Sequence, residues 1–328
     1  MRIKPEIIPI LSLIGIAILI AGCNFTSNIN IKPIDPEYFP TASTTSTITP
    51  TPFQAMTYTP SLIPPSNTPT VTYTVSPTYT PLPTDTPGPT DTPQPSNTPE
   101  MVWYPGGQVT APILLYHHVS NERNGNRYFV TIDTFRAQMQ ALRDWGYTSI
   151  TVSELANVIM NGGDLPSKPV VITFDDGNLD IYQNAFPIMH ELGFVGTTYI
   201  VANRLQSKYF VNVEQLQDMA FDGWEIGSHG MTHTDLTTDH SIANVEMRQS
   251  LLELEDAVGV HVSSFAYPYG IIDDFVTNKA SQYGYSSGMG LGSSYQHSLG
   301  TLFYLSRMEI QGGYDMSKFA SLLPWSGH

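Results

Sequence analysis

The C-terminal part of the chain alternates short apolar runs with amphipathic stretches. Residues 169–174 (PVVITF) form a continuous apolar run, which is typical of a strand buried on both faces of a parallel sheet. Residues 132–146 have apolar positions at helical spacing and end at a glycine. The same pattern predicts strands over 112–116, 147–151, 196–201, 224–228, 264–267 and 300–310, and helices over 181–192, 213–222 and 242–258. Strands that alternate with helices predict a parallel α/β fold, in which active residues gather at the carboxyl ends of the strands.

The N-terminus has the layout of an export signal. Arg2 and Lys4 precede an uncharged apolar run over residues 7–22, which ends at Cys23 and is short for a bilayer span of about 20 residues. The stretch LIAGC resembles the lipobox of bacterial lipoproteins, in which the cysteine thiol is acylated. We therefore expect residues 1–23 to be a lipoprotein signal segment and the exported chain to be anchored to the cell membrane through Cys23. An uncleaved anchor helix is the alternative.

Residues 24–105 form a predicted tether. Residues 41–100 contain 19 threonines and 14 prolines and no Lys or Arg, a composition that cannot bury enough apolar surface to offset chain entropy. We expect a disordered, extended spacer, open to O-glycosylation, with a reach on the order of 200 Å. The globular domain is predicted over residues 106–328.

Charge and cysteine content exclude several classes of protein. The chain has 29 acidic against 14 basic residues and a net charge of −15, which disfavours nucleic acid as a partner. One cysteine excludes an intramolecular disulfide framework, so stability must come from a conventional core.

Polar clusters follow three of the predicted strands. Asp175 and Asp176 end the most hydrophobic strand, and helix capping explains only one of these two carboxylates. His229 and His233 are four residues apart, so both rings can converge on one cation if the backbone turns helically there. Together with one carboxylate they form a two-His, one-carboxylate set suited to a divalent metal. Residues 265–270 (FAYPYG) form an aromatic turn that is uninformative by itself.

The order TFDDG, SHxxxHxDL and YPYG resembles the polysaccharide deacetylases of carbohydrate esterase family 4, the NodB-homology domain. The resemblance covers residues 111–323. It implies a deformed (β/α) barrel of about seven strands, similar to a TIM barrel, that removes acetyl groups from a polysaccharide with the help of a metal.

The resemblance also implies roles for individual residues. Asp176, His229 and His233 would be the metal ligands, Asp175 the general base, and the backbone N–H of Tyr269 an oxyanion donor. Zn²⁺ is the expected ion, while Co²⁺, Ni²⁺, Mn²⁺ and Fe²⁺ also suit these ligands.

The chain departs from the commonest family pattern in two places. Ala266 stands where that pattern has an arginine, and no Leu-x-His motif follows Gly270. The N-terminal strand ends instead in Leu-Tyr-His, so the chain resembles the circularly permuted branch that acts on poly-N-acetylglucosamine, and His117 is assigned as the general acid.

Two further residues are expected to support the site without binding the metal. His118 is predicted to be a supporting residue, and Arg307 is predicted to pair with an active-site acid in place of the missing arginine. That role predicts that Arg307→Ala lowers turnover more than it lowers the melting temperature. The histidines outside motifs are expected to be solvated or to cap helices: His190, His240, His261, His297 and His328.

The sequence thus predicts a monomeric enzyme that deacetylates an N-acetylglucosamine-type polysaccharide. An esterase for O-acetyl groups, such as those of xylan, would use the same residues and stays open. A non-catalytic carbohydrate-binding surface protein is the other alternative, although a decayed site has no need of Asp175, Asp176, His229 and His233 together.

Overall fold

The computed structural model of the chain describes residues 99–122 and 125–326. The strands are β1 (Met101–Tyr104), β2 (Gln108–Thr110), β3 (Ile113–Tyr116), β4 (His118–Val119), β5 (Phe129–Val130), β6 (Thr148–Ser149), β7 (Gly163–Pro166), β8 (Pro169–Phe174), β9 (Thr197–Ile200), β10 (Glu225–Ser228), β11 (Ser264–Ala266), β12 (Ser287–Met289), β13 (Gln296–Ser298) and β14 (Met308–Glu309). The α-helices are α1 (Ile132–Asp144), α2 (Val152–Asn161), α3 (Phe186–Leu192), α4 (Val213–Phe221), α5 (Ser250–Val258), α6 (Asp274–Tyr283) and α7 (Met316–Ala320).

A curled parallel sheet forms the centre of the fold. Its strand order is β12-β11-β10-β9-β8-β3-β14, and β6 pairs with the start of β8. The two ends of this path meet through a single parallel bridge between Met289 and Leu305. Two hydrogen bonds make the bridge: Gly290 N–H donates to Leu305 O (2.9 Å) and Leu305 N–H donates to Gly288 O (2.8 Å). The result is the predicted α/β fold, a deformed barrel of parallel strands closed at a narrow seam.

Side chains of the barrel strands alternate between its interior and the surrounding helices. Ile113, Val171 and Leu305 belong to one buried cluster with residues of the neighbouring strands. Leu114 and Ile172, one position along, belong to a second buried cluster that contains the apolar faces of α1, α3, α4 and α5. This period of two fixes which residues beyond the strand ends can face the barrel axis.

The closing strand differs from the predicted strand over 300–310. Residues Leu299–Thr301 form a short 3-10 turn, and regular strand pairing is limited to Met308–Glu309. The reason is local: Ser298 N–H donates to Thr301 Oγ1 (2.8 Å), so a side chain competes with the ladder for the backbone. The helix predicted over 242–258 is a 3-10 turn and a π-helical segment, Asn244–Gln249, leading into α5.

Strand β1 lies within the range assigned to the tether. Residues 101–104 pair antiparallel with β7, with Met101 opposite Pro166 and Tyr104 opposite Gly163. No helix among the described residues is both long and apolar enough for a membrane span.

His297 was expected to be solvated, but it is buried at the amino-terminal end of the barrel. Its titration therefore affects the stability of the fold. His297 is 1% exposed, and its Nε2–H donates to Ala111 O (3.0 Å). Burial lowers the pKa of His297 from 6.5 to about 4. Below pH 6.5 the ring takes up a proton in the unfolded chain, whereas in the folded chain it stays neutral down to a pH of about 4. The free energy of unfolding should therefore fall by roughly 3 kcal/mol as the pH drops from 6.5 toward 4.

The variant His297→Gln isolates this effect, since glutamine keeps an N–H donor for Ala111 O and does not titrate. Urea unfolding at pH 7 and pH 4.5 should give a smaller loss for the variant than for the wild type. Equal losses in both proteins would contradict the assignment.

Candidate active site

A cavity of about 380 Å³ lies at the carboxyl ends of the barrel strands. His117 follows β3, Asp175 and Asp176 follow β8, and His229 follows β10, so each strand end delivers its polar residue to the same opening. Arg307 reaches the cavity from the segment that leads into β14. The alternation of side chains along the strands explains why these residues point into the barrel. Asp175 continues the interior face of Val171 and Thr173, and His117 continues the interior face of Ile113 and Leu115.

Three non-glycine residues of the described chain have a left-handed backbone, and all three lie in this cavity. They are Asp176 (φ 74°), His233 (φ 65°) and Tyr269 (φ 63°). Such a conformation costs each residue on the order of 1 kcal/mol or more, and it persists where the surrounding structure imposes it. Among non-glycine residues of the described chain, the left-handed conformation occurs only at predicted site residues. This marks the cavity as the functional centre.

Asp176, His229 and His233 can hold a metal ion. One ligand atom from each lies within 4.8 Å of the others, with His233 Nε2 at 3.5 Å from Asp176 Oδ1. His229 Nδ1–H donates to Ala266 O (2.7 Å), which leaves the lone pair on Nε2 free for a ligand. Burial lowers the pKa of His229 despite the nearby carboxylates, so the ring is neutral as a ligand must be. The donor set and the fixed tautomer both fit a divalent metal.

Arg307 forms a buried, two-pronged ion pair with Asp175. Its Nη1 lies 2.6 Å from Asp175 Oδ1 and its Nη2 lies 2.8 Å from Oδ2, while Nε donates to Gly290 O (3.1 Å). Burial alone would raise the pKa of Asp175, but the positive charge and the hydrogen bonds of Arg307 outweigh burial and lower this pKa. The acid that Arg307 was expected to pair with is therefore Asp175, and it is held ionised.

His117 and His118 have different surroundings. The His117 ring packs against Tyr128 (centroids 4.6 Å apart), and its buried Nδ1 has no hydrogen-bond partner among the described residues. Burial lowers the pKa of His117, whereas Asp175 and Asp176 oppose this shift. His118 donates from Nδ1 to Asp180 Oδ2 (2.8 Å) and also borders the cavity.

Tyr269 lies on the 3-10 turn Pro268–Gly270, next to His233 (ring centroids 4.7 Å apart). Its left-handed backbone sets the direction of its N–H. Tyr304 Oη–H donates to Gly270 O (3.1 Å), which ties this turn to the segment before β14. Cys23, the predicted lipid attachment point, lies outside the described residues.

Sequence reasoning missed several residues of the cavity and its rim. Arg204 Nη1 lies 3.2 Å from Asp176 Oδ1, although nothing in its local sequence signals this contact. Arg127 lies at the rim and its Nε is 3.4 Å from Glu309 Oε1. Glu309 had a usable signal, since it lies two positions after Arg307 and so shares its inward face.

Comparisons with known proteins agree with this geometry. A family model described as polysaccharide deacetylase matches residues 162–288, which include Asp175, Asp176, His229, His233 and Tyr269. Over this segment the chain matches the polysaccharide deacetylase family.

Among its relatives, YxkH of Bacillus subtilis is 28% identical over 213 residues, which cover 65% of this chain and 75% of YxkH. The poly-beta-1,6-N-acetyl-D-glucosamine N-deacetylase of Staphylococcus epidermidis is 28% identical over 171 residues, covering 48% of this chain and 59% of that enzyme. The crystal structure of BA0330 from Bacillus anthracis aligns with a TM-score of 0.60 and 26% identity over 66% of this chain and 69% of that one.

Proposed function

We propose that this protein hydrolyses the N-acetyl groups of an N-acetylglucosamine-type polysaccharide, releasing acetate and leaving a free amine on the sugar. The observation that carries the proposal is the position of ionised Asp175 beside the triad of Asp176, His229 and His233 in one cavity. Asp175 Oδ2 lies 3.7 Å from His229 Nε2, the nitrogen left free for a ligand.

Asp175 is the general base in this proposal. Its carboxylate can take a proton from a water placed between it and the triad. Arg307 keeps that carboxylate ionised but also lowers its pKa, which makes Asp175 a weak base for ordinary water. A divalent cation held by the triad would supply a water of lowered pKa and a positive charge beside the reacting carbonyl.

His117 and Tyr269 complete the reaction. The imidazolium form of His117 would donate the proton that the departing amine needs, and Tyr128 packs against this ring on the cavity wall. The backbone N–H of Tyr269 would donate to the oxygen that becomes negative during attack. The proton balance closes because the proton accepted by Asp175 matches the one given by His117.

The choice of an N-acetylated polymer rests on the Staphylococcus epidermidis relative, whose name specifies poly-beta-1,6-N-acetyl-D-glucosamine. Among the candidate ions Zn²⁺ fits two imidazoles and one carboxylate, and Co²⁺, Ni²⁺, Mn²⁺ and Fe²⁺ share that fit. We further propose that the enzyme works outside the cell, anchored by lipid at Cys23, because the leader and the Thr/Pro-rich stretch have the composition of a lipoprotein signal and a spacer.

Acetate release by the full chain tests this function. Oligomers of N-acetylglucosamine should yield acetate, a chelator should abolish the release, and added Zn²⁺ should restore it. Acetylxylan serves as the matched substrate: faster release from acetylxylan would favour an O-acetyl esterase. Binding to either polymer without acetate release, unchanged by the chelator, would favour a non-catalytic carbohydrate-binding protein.

A further inference from the structure

Glu246 is a buried carboxylate outside the motifs of the sequence. It is 3% exposed, lies on the π-helical segment Asn244–Gln249, and forms no ion pair within the part of the chain that the structure describes. Burial of a carboxylate without a cation is costly unless hydrogen bonds replace its water.

All three hydrogen bonds of the Glu246 side chain come from the loop between His229 and His233. Its Oε2 accepts from the backbone N–H groups of Met231 and Thr232 (2.9 Å each). Its Oε1 accepts from the Thr232 hydroxyl (2.6 Å). We refer to these three contacts as the Glu246 clamp.

The loop is shaped to admit this carboxylate. Gly230 has a φ of +86°, and a Cβ at that position would lie 2.8 Å from Glu246 Oε2. A side chain at residue 230 would thus suffer both a strained backbone and a clash with the clamp.

The two histidines depend on the clamp to different degrees. His229 directly follows β10 and its ring is fixed by the bond to Ala266 O. His233 lies beyond the loop in a left-handed conformation, and its ring forms no hydrogen bond within the described residues. Its Nε2 lies 3.5 Å from Asp176 Oδ1. The position of His233 is therefore set by the backbone of the loop.

We propose that Glu246 is a positioning residue that holds the loop over residues 230–232 so that His233 converges with His229 and Asp176. The inference rests on the proposed metal site and adds a residue that never touches the ion. In this proposal the hydrogen bonds of Glu246 set the position of His233, and the negative charge of Glu246 does not matter.

Glutamine separates these two explanations. In Glu246→Gln the amide oxygen can accept both backbone N–H groups, and the amide nitrogen can donate to the Thr232 hydroxyl, which can in turn donate to Thr234 Oγ1 (2.7 Å). The clamp survives while the charge is lost. Glu246→Ala removes both.

Glu225 offers a matched control. It is a buried carboxylate at the opposite end of β10, the strand that His229 follows, and it accepts from Ser153 N–H (2.7 Å) and the Ser264 hydroxyl (2.7 Å). Glu225→Ala deletes a hydrogen-bonded carboxylate far along the strand from the triad, so it reports the cost of losing a buried carboxylate as such.

The experiment measures Zn²⁺ affinity of the full chain by competition with a chromophoric chelator, with circular dichroism to establish folding. Glu246→Ala should bind Zn²⁺ about 10–100-fold more weakly than the wild type, whereas Glu246→Gln and Glu225→Ala should stay within about threefold. Wild-type affinity in Glu246→Ala overturns the proposal, and equal weakening in Glu246→Gln overturns its geometric basis.

If Glu246→Ala does not fold, Thr232→Val decides, because it removes the hydroxyl contacts to Glu246 and to Thr234 and leaves both backbone contacts to Glu246 in place. It should weaken Zn²⁺ binding while Glu246→Gln does not, and wild-type affinity in Thr232→Val overturns the proposal. A wild type that binds no Zn²⁺ overturns the metal site itself, and this result is distinct from all the others.

Discussion

Asp175→Asn should lower the rate of acetate release by about 10²–10⁴-fold, the usual contribution of a general base, while the metal stays bound. Asparagine has nearly the shape of aspartate and its carbonyl oxygen can still accept from Arg307. It cannot take a proton from water, so turnover is lost. The buried Arg307 guanidinium also loses its countercharge, so the free energy of unfolding should fall as well. Rates at saturating substrate and metal content per chain, measured on the same preparation, check the result.

Asp176→Asn is the matched control for this prediction. Asp176 lies in the triad and Asp175 does not, so the loss of metal should follow the change at Asp176. If Asp175→Asn loses its metal and Asp176→Asn keeps it, the roles of the two aspartates are interchanged.

Arg307→Ala should impair both stability and turnover. The guanidinium is 1% exposed and forms two hydrogen bonds with Asp175, so its removal leaves a buried carboxylate without a countercharge. Removal of one partner from such a pair costs about 3–5 kcal/mol. The expectation that turnover would fall far more than the melting temperature therefore needs revision, because this burial could not be known from the sequence.

Urea unfolding and acetate release of Arg307→Ala, with Arg127→Ala as the control, test this prediction. Arg127 also pairs with a carboxylate beside the cavity, Glu309, but its side chain is 58% exposed. Its loss should change the free energy of unfolding by less than about 1 kcal/mol. Equal destabilisation by the two alanine variants would mean that the pair between Arg307 and Asp175 contributes no more than a surface contact.

Much of the fold was predictable because several of its strands are short runs rich in apolar residues. The run over 169–174 is β8, and all six of its residues are buried. The predicted strand over 300–310 was wrong over its first half because hydrogen bonds between Ser298 and Thr301 favour a turn that apolar content does not reveal. Helix α2 was not predicted, although Thr151 and Glu154 form a capping box that signals its start.

The residues of the candidate site also differ in how far the sequence could predict them. Residues that directly follow strands, such as Asp175 and His229, were predictable because strand order determines where their side chains meet. Glu246 and Arg204 were not predictable, since each reaches the site from a helical segment whose orientation depends on tertiary packing. The burial of His297 depends on pairing between β13 and β2, segments far apart in the chain.

The ion pair between Arg307 and Asp175 also sets the minimal segment of this chain that we expect to be active. Arg307 and Asp175 are 132 residues apart, and the segment matched by the family model, 162–288, contains neither Arg307 nor His117. Asp175 has no guanidinium partner until the closing segment that carries Arg307 has docked beside β3. The catalytic apparatus therefore needs residues from both ends of the domain, and a truncated product that ends before residue 307 should be inert.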